Sequence, residues 1–129
     1  MGLRRAYDPS ALASGETTAA VLVVDDDSSI RLLCRVNLEL EGFVVLEASS
    51  LEQARAQLDE SVRVVLLDMR IGNERGDALL DELGSRDIPV IFISGSAEIE
   101  PEIQRRAAAS LGKPFSVEDL LAAVRAAAR

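Results

Sequence analysis

The sequence contains no histidine among its 129 residues. This absence excludes Ser-His-Asp catalysis, zinc sites with histidine ligands, and acid–base catalysis by an imidazole. Only one cysteine, Cys34, is present, so no disulfide bond can form within the chain. Any chemistry that the protein performs must therefore use carboxylates, hydroxyl groups and lysine.

Long apolar runs are also absent. The stretch at residues 62–67 is interrupted by Arg63 and is far shorter than the roughly 20 residues that span a bilayer. The N-terminal region includes arginines but no continuous apolar stretch, so it does not resemble a secretory signal. Together with the lone cysteine, these features predict a cytoplasmic protein without a membrane segment.

Positive charge is scarce, because 14 basic residues face 22 acidic ones and the formal net charge is −8. A chain with this charge has no general attraction to polyanions, so we expect no direct nucleic-acid partner. A cationic partner or a metal ion fits this charge better. Hydrophobic residues make up 48% and charged residues 28%, which fits a folded soluble protein. The length suits a single domain.

From Val21 onward, short apolar runs rich in β-branched residues alternate with amphipathic stretches. This alternation predicts an α/β fold with a parallel sheet that is covered by helices on both faces. The predicted strands are residues 21–24, 43–46, 64–67, 90–93 and 109–111, and the predicted helices are residues 30–40, 51–58, 78–83, 101–108 and 117–128. Residues 1–20 show no clear period, so we expect a mobile leader before one domain at residues 21–129.

Local signals mark several predicted helix ends. Ser49 and Ser116 each precede an acidic residue by three positions, which predicts that their hydroxyls cap the second and fifth helices. Pro101 suits a first turn, and Gly42 lies where the first helix should end.

Polar or charged residues follow the first, third, fourth and fifth predicted strands, and the carboxyl ends of parallel strands are where such sheets bind ligands. The four strand exits are Asp25-Asp26-Asp27, Asp68, Ser94-Gly95 and Lys113-Pro114. Singly, each has an ordinary explanation as a helix cap or a turn. Together they place clustered carboxylates beside one hydroxyl and one ammonium, and such a cluster favours a cation with oxygen ligands such as Mg²⁺.

Phosphoryl transfer is the chemistry that this set of groups suggests. A carboxylate beside Mg²⁺ can attack a phosphoryl group, because the metal and a lysine neutralise charge on the transferring oxygens. The resulting acyl phosphate could accept a hydrogen bond from the serine hydroxyl. That bond would exist only in the modified state, so it could draw a loop inward and act as a switch.

The pattern resembles the receiver domains of two-component response regulators from Val21 to about residue 127. Four motifs carry the resemblance: Val-Val-Asp25-Asp26, Leu-Leu-Asp68-Met-Arg, Ile-Ser94-Gly95 and Lys113-Pro114-Phe115. Gly76 also stands where the family has a glycine. The resemblance implies a flavodoxin-like (βα)5 three-layer sandwich with strand order 2-1-3-4-5.

The resemblance also implies roles for the site residues. Asp68 would accept the phosphoryl group, assisted by Ser94 and Lys113. The implied Mg²⁺ ligands are Asp26, Asp68 and the backbone carbonyl of Arg70, with Asp25 acting mainly through water. The donor would be a phosphohistidine on a sensor histidine kinase or a phosphotransfer protein. The chain would be a signalling domain and not an enzyme with a separate substrate.

The expected output is a contact with an unidentified downstream protein. We expect a stand-alone regulator that is a monomer or a weak homodimer, and a piece cut from a larger protein is the alternative. Three features depart from the family's pattern. Gly72 replaces a usual proline, Ser110 replaces a switching aromatic residue, and the short path from Ser94 to Lys113 predicts a reduced fourth helix or fifth strand. The family also implies a cis Lys113-Pro114 bond.

Two alternatives remain open at this point. A haloacid-dehalogenase-like phosphatase could use Asp25 as its nucleophile, since residues 25–29 loosely fit a DxDx(T/V) motif. That reading leaves Asp68 unused, and it lacks a later acidic pair at a strand end because Glu118 and Asp119 fall in a predicted helix. An unphosphorylated pseudo-receiver that serves as an interaction module is the other alternative.

Overall fold

The computed structural model describes residues 19–95 and 99–128. Five strands form the main sheet: β1 (Ala20–Val24), β2 (Val44–Ala48), β3 (Val62–Asp68), β4 (Val90–Ser94) and β5 (Ala109–Gly112). The α-helices are α1 (Ser28–Leu40), α2 (Leu51–Gln57), α3 (Leu80–Ser85), α4 (Pro101–Gln104) and α5 (Val117–Ala127). A 3-10 helix at Gly76–Leu79 leads into α3.

All neighbouring strands of the main sheet are parallel, in the order β2-β1-β3-β4-β5. The predicted α/β class and the strand order implied by the resemblance are therefore confirmed. β1 and β3 lie side by side at the centre, and Asp68 pairs with Ile93 of β4. The carboxyl ends of β1, β3, β4 and β5 consequently meet at one edge of the sheet.

Two apolar cores cover the two faces of the sheet, because successive strand residues point to opposite faces. In β1, Leu22 and Val24 pack with α2 and α3, whereas Val21 and Val23 pack with α1 and α5. Phe92 of β4 is fully buried in the first core. The result is the expected three-layer sandwich, and the central strands carry β-branched residues because both their faces are buried.

Some predicted boundaries need correction. The leader was expected at residues 1–20, but Ala20 is the first residue of β1, and residues 1–18 lie outside the described part of the chain. The fourth helix spans only Pro101–Gln104, so the run of alanines after it does not continue the helix. This confirms the expected reduction between Ser94 and Lys113.

The predicted cap of α2 was wrong by one residue. Ser50 is in extended conformation and accepts a hydrogen bond from the backbone N–H of Gln53 at 3.1 Å. Ser49 instead donates its own N–H to the Gln53 side chain at 2.7 Å. The capping pair is therefore Ser-x-x-Gln rather than Ser-x-x-Glu. The cap at Ser116 is confirmed by its bond from the N–H of Asp119.

A glycine follows the end of α1. Gly42 has a φ of 97°, a left-handed conformation that favours glycine, so its predicted role at the helix end is confirmed.

Within residues 19–95 and 99–128, no helix has the length and hydropathy needed to cross a membrane.

Candidate functional site

Three aspartates converge at the carboxyl edge of the sheet. Asp25 follows β1 directly, Asp26 is the next residue, and Asp68 ends β3. One carboxylate oxygen from each lies within 4.8 Å of the others. Asp25 and Asp68 are buried, whereas Asp26 is exposed. The adjacency of β1 and β3 in the sheet produces this cluster, which the strand exits had predicted.

Lys113 reaches into the cluster from the turn after β5. Its Nζ lies 2.9 Å from Asp25 Oδ2 and 3.0 Å from Asp68 Oδ2. The same residue donates its backbone N–H to the carbonyl of Ser94 at 2.8 Å, which fixes the turn against β4. Two of the three carboxylates thus share one ammonium, and the cluster of three acids and one lysine keeps formally two negative charges.

Backbone N–H groups orient two of the acids. Gly72 donates to Asp26 Oδ2 at 2.9 Å, and Arg70 donates to Asp68 Oδ1 at 3.2 Å. Both donors belong to the loop that follows β3. That loop therefore fixes the relative positions of the two carboxylates, while the Arg70 side chain is exposed.

The pKa of Asp68 is raised, chiefly because burial disfavours its charged form and also because Asp25 carries a like charge. Hydrogen bonds from the Arg70 N–H and from Lys113 oppose this rise without cancelling it. Burial also lowers the pKa of Lys113, but its hydrogen bonds to Asp25 and Asp68 outweigh that effect and leave the pKa raised. The lysine is therefore cationic at neutral pH.

The third acid of the triplet has a different role. Asp27 caps α1 by accepting a hydrogen bond from the N–H of Ser29 at 2.8 Å. Its own N–H donates to Asp25 Oδ1 at 2.9 Å. The ordinary explanation of an acid before a helix is thus correct for Asp27, while Asp25 and Asp26 belong to the cluster.

Ser94 is the last residue of β4 and is largely buried. It follows Ile93, whose strand partner is Asp68. The structure therefore brings the predicted hydroxyl residue to the same edge as the acids and the lysine. The predicted phosphoacceptor, metal-ligand, hydroxyl and lysine residues, including the backbone of Arg70, therefore lie at one edge of the sheet.

A short antiparallel ribbon follows β3 and was not predicted from the sequence. Arg70–Ile71 pairs with Glu74–Arg75, and Gly72 in the turn has a φ of 60°. The Gly-Asn pair at the turn is a recognised hairpin signal, so this ribbon could have been predicted. It brings Gly76 so close to Asp68 that a Cβ there would lie 2.0 Å from the Asp68 carbonyl oxygen. Only glycine fits that position without a shift of the backbone.

The departures from the family are visible in the structure. The Ser110 hydroxyl, at the position of the usual aromatic residue, bonds to the Gln104 side chain of α4 at 2.5 Å. The Lys113-Pro114 peptide bond is cis, as the resemblance implied. Glu118 and Asp119 lie in the first turn of α5 and not at a strand end, so the phosphatase alternative gains no support.

The three aspartates could hold a metal ion. Their ligand atoms are all oxygens, which suits a hard divalent cation, and the formal excess of two negative charges matches the charge of such an ion. The donor set therefore fits the cation that the resemblance implies.

Comparison with known proteins agrees with this geometry. The family described as "Response regulator receiver domain" matches residues 21–125. The transcriptional regulatory protein CpxR of Klebsiella pneumoniae is 37% identical over 116 residues, which are 84% of this chain and 49% of CpxR. The chain spans about half the length of the curated relatives that it matches.

Solved structures of similar fold include a CheY-like receiver domain protein from Methanospirillum hungatei. It has a TM-score of 0.78 and 26% identity, covering 85% of this chain and 93% of that one. A response regulator from Burkholderia pseudomallei has a TM-score of 0.72 and 27% identity, covering 81% of this chain and 65% of that one. The latter was solved with a phosphorylated aspartic acid, a calcium ion and citrate.

Proposed function

This chain belongs to the response regulator receiver domain family, a family of signalling domains, and from that premise we propose that Asp68 accepts a phosphoryl group. The observation that carries the proposal is the contact between Lys113 and Asp68 at 3.0 Å, beside a cluster of three carboxylates. The phosphorylated aspartic acid of the Burkholderia relative supports the same chemistry.

In the proposed reaction, a carboxylate oxygen of Asp68 attacks the phosphorus atom of the donor. A new P–O bond forms, the bond between phosphorus and the leaving group breaks, and the leaving group keeps the electron pair. The ammonium of Lys113 lies where it can neutralise charge on the transferring oxygens. The product is an acyl phosphate on Asp68.

We assign the metal site to Asp25, Asp26 and Asp68, with the backbone carbonyl of Arg70 as a further ligand. When bound, Mg²⁺ would neutralise negative charge on the phosphoryl oxygens. The chain's own contribution is to hold the carboxylates of Asp26 and Asp68 through the N–H groups of the loop after β3, and that of Asp25 through the N–H of Asp27.

Ser94 and Lys113 would contact the phosphoryl group once Asp68 is modified. A phosphoryl group on Asp68 offers new acceptor oxygens, and Ser94 lies one residue beyond the strand partner of Asp68. A hydrogen bond from its hydroxyl would draw the end of β4 inward. This movement would change the surface that the downstream protein contacts.

The proposed donor is a sensor histidine kinase or a histidine phosphotransfer protein. Within the described part of the chain, the exposed large apolar side chains all lie on α1: Leu32, Leu33, Val36 and Leu40. This stripe starts about one helical turn from the acidic residues, on the helix that Asp27 caps. Its position beside the site fits the donor protein. The proposed location is the cytoplasm, and the oligomeric state is a monomer or a weak homodimer.

Labelling with acetyl phosphate and Mg²⁺ tests the proposal. The wild type should be labelled, and Asp68→Asn should abolish the label because the nucleophilic oxygen is replaced. Asp77→Asn is a matched control, since Asp77 contacts Arg75 on the same loop and lies outside the cluster. Full labelling of Asp68→Asn would contradict the proposal. A wild type that takes no label would support the pseudo-receiver alternative.

A further inference from the structure

Arg31, on the second turn of α1, joins the acidic turn to the neighbouring strand. Its Nη1 donates to the backbone carbonyl of Asp25 at 2.7 Å, and its Nε donates to Glu47 Oε1 of β2 at 2.9 Å. The side chain is only 18% exposed, so this arginine is not a solvated surface group. Both bonds are charge-assisted, and such bonds are roughly twice as strong as neutral ones.

We propose that Arg31 is a positioning residue that holds the metal-binding carboxylates of Asp25 and Asp26 in place. The inference rests on the proposed function of the site, since it concerns the same cation. Its role would be indirect, because its contacts are with Glu47 and with the backbone carbonyl of Asp25.

The geometry of the peptide unit explains how one contact could hold two acids. The carbonyl of Asp25 and the N–H of Asp26 belong to one planar peptide. Upstream, the N–H of Asp25 donates to the carbonyl of Ala48 in β2 at 3.0 Å, so the sheet fixes that side. Beyond it the chain leaves the sheet, and the bond from Arg31 fixes the orientation of the peptide that links the two carboxylates.

Glu47 anchors the arginine in turn. Its Oε1 accepts from Arg31, while its Oε2 lies 2.8 Å from Arg35 Nε. Arg35 therefore shares the same anchor, but it has no contact with the Asp25 carbonyl among the described residues. This difference makes Arg35 a matched control for the loss of a Glu47 ion pair.

Metal sites are sensitive to such supporting contacts, and losing one typically costs about 10–100-fold in metal affinity. Arg31→Ala should therefore weaken Mg²⁺ binding by about tenfold or more. Arg35→Ala should change it by less than about twofold, because the turn keeps its contact. Arg31→Lys should recover part of the affinity, since one ammonium can still donate to the carbonyl.

Isothermal titration of the full chain with Mg²⁺, in the absence of a phosphodonor, measures these affinities. Equal losses for Arg31→Ala and Arg35→Ala, or no loss for Arg31→Ala, would overturn the positioning role. Wild-type protein that binds no Mg²⁺ would overturn both this role and the proposed metal site. Wild-type binding with unchanged Arg31→Ala binding would overturn the positioning role alone.

A measurement without metal distinguishes a loss of order at the acidic turn from a general loss of stability in Arg31→Ala. The N–H of Asp27 donates to Asp25 Oδ1, so its hydrogen exchange reports the order of the turn. In Arg31→Ala this amide should exchange several-fold faster, while amides of the β3–β4 ladder keep their wild-type rates. Equal acceleration at both places would mean that Arg31 is only a structural residue and would overturn the proposal.

Discussion

The ammonium of Lys113 lies 3.0 Å from Asp68 Oδ2, and Lys113 is the only lysine in the sequence. All other basic residues are arginines. Arginine suits bidentate contacts with flat groups, whereas an ammonium is a compact charge that can approach two carboxylates at once. Lys113 does so, because Asp25 lies 2.9 Å from the same nitrogen.

Removing this charge should destabilise the metal-free protein. Lys113→Met would leave two buried carboxylates without their shared cation, at a cost on the order of 1–3 kcal/mol in the free energy of unfolding. In an Asp68→Asn background the cost should be smaller, because one of the two charges is already gone. Urea denaturation at pH 7 without Mg²⁺ measures both values. An equal cost in the two backgrounds would show that Lys113 and Asp68 are not coupled.

Gly76 should tolerate no side chain. In Gly76→Ala the new Cβ would lie 2.0 Å from the Asp68 carbonyl oxygen, so the backbone beside the proposed nucleophile must move. We expect a loss of about 1–3 kcal/mol in stability, together with slower labelling by acetyl phosphate.

Gly84→Ala is the control for that variant. Gly84 lies inside α3, and a Cβ there would meet nothing within 4 Å. Because alanine is the better helix former, this change should stabilise the protein by up to about 1 kcal/mol. Similar denaturation midpoints for the two variants would contradict the steric explanation.

The apolar stripe on α1 should matter for a protein donor and not for a small one. Leu32→Ser combined with Val36→Ser should slow transfer from a histidine phosphotransfer protein that labels the wild type. Labelling by acetyl phosphate should stay unchanged, because both side chains are exposed and lie outside the site. Ala122→Ser on the exposed face of α5 serves as the control. A parallel loss with both donors would argue against a docking role.

Cys34 should be chemically inert in the folded protein. Burial, and next the nearby charge of Asp25, raise the pKa of its thiol from 9.0 to about 12. Iodoacetamide at pH 8 should therefore label the thiol in urea but not in buffer, because thiolate is the reactive form. Labelling of the native protein at the rate of a free thiol would contradict its burial.

The raised pKa of Cys34 also predicts how the stability of the protein changes with pH. The folded state keeps the thiol protonated, so the stability that Cys34 contributes is complete below pH 9 and falls as the pH rises towards 12. In Cys34→Ala the unfolding free energy should decline less steeply over this range. Identical slopes for the two proteins would rule out the thiol as a cause.

Most of the site could be predicted because it depends on strand exits. Asp68 and Lys113 lie far apart in sequence, but a parallel sheet brings the carboxyl ends of its strands to one edge. Arg31 could not be predicted in the same way, since an arginine on an amphipathic helix reads as a solvent-exposed residue. Its contact with the Asp25 carbonyl depends on the packing of α1 against β2, which periodicity does not reveal.

In the fold, too, some features were predicted from the sequence and others were not. The central strands were predicted from their apolar runs, whereas the end of α4 was not, because the alanines after Gln104 favour a helix that the structure does not continue. The cap of α2 depended on which of two adjacent serines accepts the backbone N–H of Gln53, since both serines contact that residue. Tertiary contacts and small energy differences determine where a helix ends and which residue caps it.

Phosphorylation of Asp68 is tested most directly by locating the phosphoryl group itself. The wild type is incubated with acetyl phosphate and Mg²⁺, the acyl phosphate is trapped by reduction, and the modified residue is identified by tandem mass spectrometry. We expect modification at Asp68 alone, and none when the metal is chelated. Modification at Asp25 instead, or at Asp68 to the same extent without the metal, would contradict the proposed metal-dependent phosphorylation of Asp68.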